Sequence, residues 1–141
     1  TQGCPHHCPE CHNPQSHDPE GGEWHDTEVL AALAAENILL DGITLTGGDP
    51  FVQPEACADL ARRAHNAGLN VWCYTGYVFE ELLTGKQEWR ALLENVDVLV
   101  DGPFLRAQKT LDKRFRGSAN QRIIDVPASL KSGTTVLSEY N

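Results

Sequence analysis

Short apolar segments alternate with amphipathic ones along this chain, and this alternation restricts its fold more than any other feature. Four segments are rich enough in apolar and β-branched residues to form buried strands: 43–46, 70–74, 96–100 and 122–126. Four others have the periodicity of helices: 26–37, 54–67, 78–83 and 89–95. Such alternation is typical of parallel βαβ units with right-handed crossovers. We therefore predict an α/β fold.

The helices carry end signals that fix their registers. Asp26 is the predicted N-cap of the first helix, Pro54 occupies the first turn of the second, and Gly68 follows its end. The first helix is predicted to bury one stripe, made of Val29, Leu30, Leu33 and Ala34. The second is predicted to bury Cys57, Leu60, Ala61 and Ala64. All elements fit one domain over residues 1–141, with a loop over 1–22 and an irregular tail over 127–141.

Charge is unevenly distributed along the chain. The formal net charge is −9, and residues 1–61 contain no Lys or Arg, whereas residues 106–122 contain six basic residues and one acid. An acidic chain with one short basic stretch is a poor candidate for binding nucleic acid, which takes many phosphate contacts. The basic stretch suits either a solvated loop or the docking of an anionic partner. No apolar run or signal pattern indicates a membrane, so we expect a cytoplasmic protein.

Three cysteines lie close together in the Pro- and Gly-rich loop over residues 1–22. Cys4, Cys8 and Cys11 form a CX3CX2C triplet. Three thiolates can hold three irons of a [4Fe–4S] cluster and leave the fourth iron open to a ligand. The alternatives are a zinc site completed by His12 or His17, and thiols without a metal. The remaining cysteines, Cys57 and Cys73, fall in a helix and a strand and are predicted to be core residues.

A second motif follows the first predicted strand. Gly47 and Gly48 lack Cβ atoms, so their backbone carbonyls and amides can come close to a ligand, and Asp49 and Pro50 lead the chain into the next helix. By itself this sequence is an ordinary turn between a strand and a helix. Next to an open cluster it becomes a place to bind an amino acid group.

The cysteine triplet and the Gly-Gly-Asp-Pro turn together resemble those of the radical S-adenosylmethionine (SAM) enzymes. The resemblance implies that Cys4, Cys8 and Cys11 bind the cluster. It further implies that the open iron chelates SAM and that the turn from Gly47 to Pro50 contacts its amino group. The implied fold is a small incomplete parallel (βα) barrel, here expected to lack its first strand, since that family carries a strand before the cysteine loop.

Three further motifs narrow the resemblance to the activating proteins of anaerobic (class III) ribonucleotide reductases. They are the segments 74–77 (YTGY), 98–104 (VLVDGPF) and 116–126 (RGSANQRIIDV). One departure is Glu10, which stands where many radical SAM proteins have an aromatic residue. The similarity covers essentially the whole chain.

The resemblance implies a defined reaction and defined partners. One electron from the cluster cleaves SAM to methionine and a 5′-deoxyadenosyl radical, which removes a hydrogen atom from a glycine of the large reductase subunit. The electron comes from a small donor such as a flavodoxin or ferredoxin. Two alternatives stay open, namely an activase of another glycyl radical enzyme of the pyruvate formate-lyase type and a zinc-stabilised α/β binding module without catalysis.

Other polar and aromatic residues have predicted places. Tyr74 and Thr75 are expected to contact SAM, and Trp72 to pack. Arg116, Asn120, Gln121 and Arg122 are expected to contact the SAM carboxylate or the glycine loop of the reductase. His6, His7 and His12 are expected to be solvated loop residues.

Overall fold

The computed structural model describes all 141 residues, which form five α-helices and four strands. The helices are α1 (Thr27–Glu36), α2 (Pro54–Asn66), α3 (Phe79–Thr84), α4 (Gln87–Leu93) and α5 (Val126–Ser132). The strands are β1 (Gly42–Leu45), β2 (Asn70–Tyr74), β3 (Val98–Asp101) and β4 (Arg122–Asp125). The predicted α/β fold is confirmed, and the predicted strands and first four helices lie where the sequence pattern placed them, within about two residues. None of the helices combines the length and hydropathy that a membrane crossing needs.

The four strands form one sheet in the order β1-β2-β3-β4. The first three are parallel, whereas β4 is antiparallel to β3, with Val98 opposite Asp125 and Asp101 opposite Arg122. The prediction of a fully parallel arrangement was therefore wrong for the last strand. Parallel strands need a crossover that carries the chain back to the same end of the sheet, usually a helix. Residues 102–121 contain only one short 3-10 turn, Arg106–Gln108, so the chain reverses direction instead.

The helices pack against one face of the sheet. Leu45, Val71, Cys73, Leu99 and Ile124 point toward this face and form the main core. The helical residues of that core come mostly from α2, α3 and α4: Cys57, Ala58, Ala61, Ala64, Phe79, Leu82, Leu92 and Leu93. Cys57 and Cys73 are 4% and 0% exposed, which confirms their prediction as core residues.

The opposite face of the sheet is covered by loops. Val98, Val100 and Ile123 are buried there beside the partly buried Trp72 and Tyr74. The rings of Phe115 and Tyr140 pack on Trp72, with centroid distances of 5.1 and 5.4 Å. Trp72 is thus a packing residue, as predicted.

Two local predictions were wrong. The tail over 127–141 is not irregular throughout, because α5 occupies Val126–Ser132. Its signals are present in the sequence: the Asp125 side chain accepts a hydrogen bond from the Ala128 amide, Pro127 lies in the first turn, and Gly133 ends the helix at φ 73°. The helix has only seven residues, too few for a clear periodic pattern.

The second wrong prediction concerns the apolar stripe of α1, of which only Ala34 packs against the core. Val29 and Leu33 are 55% and 61% exposed, and only Ala31 is buried in this helix. The reason is position, because α1 packs against α2 beside β1, at the edge of the sheet, and no other element covers its outer side. Periodicity shows that a helix has an apolar face and leaves open whether a partner covers it.

Arg122 connects β4 to its neighbours through a group of charges. Its guanidinium donates to Asp101, which is 1% exposed, and to both carboxylate oxygens of Glu80, at 3.0 and 2.7 Å. Glu80 also accepts a hydrogen bond from Thr135 at 2.6 Å. Hydrogen bonds from Arg122 are the main reason that the pKa of Glu80 is lowered to about 2. This group ties the antiparallel strand and the C-terminal segment to α3.

Truncation of the central strand should destabilise the fold. Leu99 is fully buried in β3, so Leu99→Ala removes contacts and leaves a cavity, and we expect a loss of about 2–5 kcal/mol in the free energy of unfolding. Leu111→Ala is the control, because Leu111 is 94% exposed and should change stability by less than about 0.5 kcal/mol. Urea denaturation followed by circular dichroism measures both. Equal stability of the two variants would contradict the assigned core.

The Glu80 ion pair should make stability depend on pH. Because the folded protein lowers the pKa of Glu80 from 4.5 to about 2, its contribution is fully present above about pH 4.5 and is lost as the pH falls toward 2. We expect wild type to exceed Glu80→Gln in urea midpoint at pH 6, with the difference shrinking between pH 4.5 and 2.5. Glu88→Gln, an exposed residue without an ion pair, is the control. A difference that stays constant with pH would contradict this role of Glu80.

Candidate functional site

The predicted site residues meet at one edge of the sheet. The carboxyl ends of β1, β2 and β3 lie at this edge, and β4 begins there because it runs in the opposite direction. The edge therefore collects the turn after β1, the segment 75–77 after β2, and the two ends of the 102–121 loop. The cysteine loop is attached to the same edge through residues 1–6.

The cysteine loop is closed on itself by backbone hydrogen bonds. The amides of Gly3 and Cys4 donate to the carbonyl oxygens of Ser16 and His17, at 2.9 and 3.2 Å. Between these ends, His7 and Glu10 adopt left-handed conformations with φ of 47° and 59°. These residues bend the short segment that carries the three cysteines. All three cysteines are free and partly exposed.

The five cysteines divide into two chemical groups. Burial raises the pKa of the Cys57 thiol to about 11 and that of the Cys73 thiol well above its ordinary value, so both are inert thiols inside the core. Burial also raises the pKa of Cys4, and the nearby Asp49, Cys8 and Cys11 add to the effect. Cys4 is nevertheless partly exposed, and a bound metal stabilises thiolate. Only the three loop cysteines can reach a metal from the surface.

Gly47 and Gly48 make room for the segment that precedes Cys4. Gly47 has a φ of 116°, and a Cβ atom there would lie 2.6 Å from the carbonyl oxygen of Thr1. A Cβ atom on Gly48 would collide with the Gly3 carbonyl. The amides of Gly48 and Asp49 donate to the carbonyl oxygens of Thr1 and Gly3, at 2.9 and 2.8 Å. The close approach that we predicted for a ligand is thus used by the chain itself.

Asp49 is the best-connected polar residue of the site. Its carboxylate is 1% exposed and accepts hydrogen bonds from the Phe51 amide at 2.9 Å, the Thr75 hydroxyl at 2.8 Å and the Gly76 amide at 2.9 Å. A fourth contact, at 2.7 Å, comes from Nε2 of His6. Asp49 therefore joins its own turn, the end of β2 and the cysteine loop. Pro50 is buried directly behind it.

His6 differs from our prediction of a solvated residue. Its side chain is only 16% exposed, and its ring packs edge-on against Tyr77 at 4.5 Å between centroids. His7 and His12 are exposed, as predicted. The sequence signal for His6 is weak and consists of its position between two cysteines. Its contact with Asp49 is visible only in the folded chain.

The 116–122 block is held together by one glutamine. The side-chain oxygen of Gln121 accepts from the amides of Gly117 and Ser118, and its nitrogen donates to the carbonyl of Gly102 at 3.1 Å. Asn120 donates to the Pro103 carbonyl at 2.9 Å, while its Oδ1 is buried without a protein partner. This oxygen is a buried hydrogen-bond acceptor without a partner.

The remaining predicted residues also contact protein groups. Tyr74 donates from its hydroxyl to the carbonyl of Phe115 at 2.9 Å. Thr75 is held against Asp49, and the donors of Arg122 engage Asp101 and Glu80. They all stand at or beside the same edge, in positions set by these partners.

The loop over 102–121, which contains most of the basic stretch and is called the basic loop below, borders the cysteine loop. Arg106 pairs with Glu10 at 3.1 Å, and the ring of Phe104 lies 6.3 Å from that of His12. Glu10, where the resemblance led us to expect an aromatic residue, is therefore an ion-pair partner. These contacts place the basic loop at the rim of the site.

The donor set at the rim fits an iron–sulfur cluster better than a single metal ion. No three His, Cys, Asp or Glu side chains converge closely enough to hold one ion, which a tetrahedral zinc site requires. Three free, partly exposed thiols are the ligands that a cluster takes, and each can bind a different iron. Nε2 of His17 is buried without a partner, and that of His6 is occupied by Asp49.

Comparison with known proteins gives an independent result. Residues 1–124 match the model of the 4Fe-4S single cluster domain family. The proteins of Haemophilus influenzae, Escherichia coli K12 and bacteriophage T4 are 35%, 31% and 33% identical to this chain. The alignments cover 87%, 86% and 86% of this chain and 83%, 82% and 78% of the relatives. Each of the three is named an anaerobic ribonucleoside-triphosphate reductase-activating protein.

The match to the family model extends over the cysteine loop, nearly all of the sheet and most of the 116–126 block. These similarities confirm the family and the 4Fe–4S domain that the motifs predicted. The chain belongs to the family of anaerobic ribonucleoside-triphosphate reductase-activating proteins.

Proposed function

We propose that this protein is a SAM-dependent activase that generates a glycyl radical on an anaerobic ribonucleotide reductase. The observation that carries the proposal is the attachment of three free cysteines to the carboxyl edge of the sheet, beside the Gly-Gly-Asp turn. The names of the relatives supply the substrate protein. In this proposal Cys4, Cys8 and Cys11 hold a [4Fe–4S] cluster whose fourth iron is open to SAM.

The cofactors supply the difficult chemistry, and the chain binds and orients them. When bound, the cluster would supply one electron for the reductive cleavage of SAM, which is the chemistry that can generate a radical able to remove a hydrogen atom from a glycine of the reductase. Protein groups must hold the methionine part of SAM next to the open iron. They must also keep other hydrogen donors away from the radical.

We assign SAM contacts to two parts of the edge. The turn Gly47–Pro50 offers backbone carbonyl oxygens to the amino group of SAM, while the Asp49 carboxylate holds the turn from inside. Asn120 offers its unpartnered Oδ1 as an acceptor. Tyr74 and Thr75 at the end of β2 border the same space. Arg122 remains our predicted contact for the SAM carboxylate or the reductase, and such a contact would compete with Glu80 for its donors.

We infer that the fold is an incomplete (βα) barrel of the radical SAM type. Helices cover only one face of the sheet, as they do on the outside of a barrel. The strand order β1-β2-β3 is sequential and parallel, which is the order of neighbouring barrel strands. The outer edge of β1 is free to pair with a further strand.

The proposed partners are the large subunit of the reductase and a small electron donor such as a flavodoxin or ferredoxin. Both have to reach the rim of the site, where the cysteine loop and the basic loop meet. The acidic composition argues against nucleic acid as a partner. We propose a cytoplasmic location without membrane attachment, where a ribonucleotide reductase would be encountered.

The alternative functions are less well supported. A zinc-stabilised binding module needs ligands that converge on one ion, and no such group exists. An activase for a different glycyl radical enzyme would use the same chemistry, but the relatives are named for the ribonucleotide reductase.

Anaerobic reconstitution tests the proposed function. We expect a brown protein with about four irons and four sulfides. After reduction and addition of SAM and the anaerobic reductase, electron paramagnetic resonance (EPR) should show a glycyl radical doublet. Cys8→Ser should abolish the doublet because it removes a cluster ligand, whereas Cys57→Ser keeps all three ligands and should retain it. A colourless protein with bound zinc, or a cluster that leaves SAM intact, would refute the proposal.

Thiol labelling tests the assignment of ligands without catalysis. In the folded protein without metal, iodoacetamide at pH 8 should alkylate Cys4, Cys8 and Cys11 and spare Cys57 and Cys73, whose thiols are buried and have raised pKa values. Loading the cluster should protect the three loop cysteines. The readout is tandem mass spectrometry of peptides cleaved after glutamate, because cleavage after Glu55 separates Cys57 from the loop cysteines, whereas trypsin would leave them on one peptide. Labelling of a loop cysteine that is unaffected by loading would remove it from the ligand set.

A further inference from the structure

We propose that His6 is a positioning residue that fixes the cysteine loop to the sheet, and so sets where the cluster ligands stand relative to the Gly47–Gly48 turn. The contact itself is made by the chain alone. Only its consequence for SAM binding rests on the proposed function.

His6 lies in the middle of the segment that joins the first two cysteines. It lies two residues from Cys4 and two from Cys8, and its Nε2 is 2.7 Å from Oδ2 of Asp49. A buried carboxylate acts as an acceptor, so Nε2 carries the proton of this hydrogen bond. The same nitrogen is then not free to bind a metal. Its ring is also held against Tyr77, at 4.5 Å between centroids.

Asp49, the acceptor of this hydrogen bond, is held in place without His6. The amides of Phe51 and Gly76 and the hydroxyl of Thr75 already hold the Asp49 carboxylate, which is 1% exposed. When His6 is removed, the Asp49 carboxylate therefore stays in place and still accepts hydrogen bonds from three donors. The bond restrains the loop more than it restrains the sheet.

Few other contacts hold this part of the cysteine loop against the rest of the protein. Among residues 5–10, only His6 and Glu10 make polar side-chain contacts outside the loop. The partner of Glu10 is Arg106, whose side chain is 68% exposed, and exposed ion pairs contribute little. Backbone bonds at Gly3 and Cys4 hold only the beginning of the loop. His6 is thus the main attachment of the segment between the first two cysteines.

The His6 ring fits where it does because Gly76 has no side chain. Gly76 lies directly under the imidazole, and a Cβ atom on Gly76 would be 2.6 Å from Cγ of His6. The absence of a side chain at this position creates the slot that the ring fills. Gly76→Ala is therefore a second way to displace His6 while both hydrogen-bonding groups remain.

The test begins with hydrogen exchange on the protein without metal. We expect His6→Ala to speed exchange of the hydrogen-bonded amides within residues 4–12, those of Cys4 and Cys11, by about tenfold, the size expected for loss of a hydrogen bond to a charged partner, and to leave β1 and β2 unchanged. His6→Gln should restore much of the protection, because its side-chain amide can donate to Asp49. His12→Ala, an exposed histidine of the same segment, is the matched control.

A second readout follows the cluster. In reconstituted His6→Ala, iron content should stay close to wild type, while the SAM concentration needed to change the EPR spectrum of the reduced cluster should rise about tenfold. His6→Gln should need less SAM than His6→Ala. A histidine that served only general stability would lower cluster content and leave the SAM requirement of the loaded fraction unchanged.

Several results would overturn the inference. One is wild-type exchange of residues 4–12 in His6→Ala, and another is faster exchange across β1 and β2 as well, which would make His6 a core residue. If His6→Ala does not fold, Gly76→Ala takes its place with the same expected exchange pattern. If wild-type protein takes up no cluster, the proposed function fails, while the exchange experiment still decides whether His6 anchors the loop.

Discussion

The buried carboxylate of Asp49 is the interaction on which the site depends. A charge removed from water is costly unless hydrogen bonds replace its hydration. Here the four donors come from three parts of the chain: the turn after β1, the end of β2 and the cysteine loop. The carboxylate is satisfied only when these parts are together. The geometry of the site is therefore coupled to the folding of the sheet edge.

A second constraint is the reversal of the chain after β3. Because β4 is antiparallel, its first residue lies at the edge where the other strands end. This brings Asn120 and Arg122 next to segments that are 17 to 42 residues away in sequence. The reversal is stabilised by the pairing of Arg122 with the buried Asp101, since either charge alone would be poorly accommodated there. With a helical crossover instead of this loop, the 116–122 block would be built differently.

Three glycines of the site allow close approach of the cysteine loop at two different places. Gly47 and Gly48 allow the backbone that leads into Cys4 to lie against the turn, whereas Gly76 allows a side chain from inside the cysteine loop to do so. Both place the loop close to the sheet, one at its start and one between its first two cysteines. Close packing of the loop is what lets ligands on a surface segment stand in a defined position, because a loop without such attachments would have many conformations of similar energy.

Local patterns in the chain were enough to predict the α/β class, the approximate bounds of the four strands and of the first four helices, the separation of three loop cysteines from two core cysteines, and the family. These follow from local signals: periodicity, proline and glycine positions, and short motifs. Four features became visible only in the folded chain: the direction of β4, the exposure of the α1 stripe, the partners of Arg122, and the contact between His6 and Asp49. Each of these depends on which distant segments lie side by side, and a pattern within a few residues carries no information about that. The Asp49 carboxylate illustrates the division, because its turn is visible in the sequence, whereas three of its four donors lie 26 or more residues away.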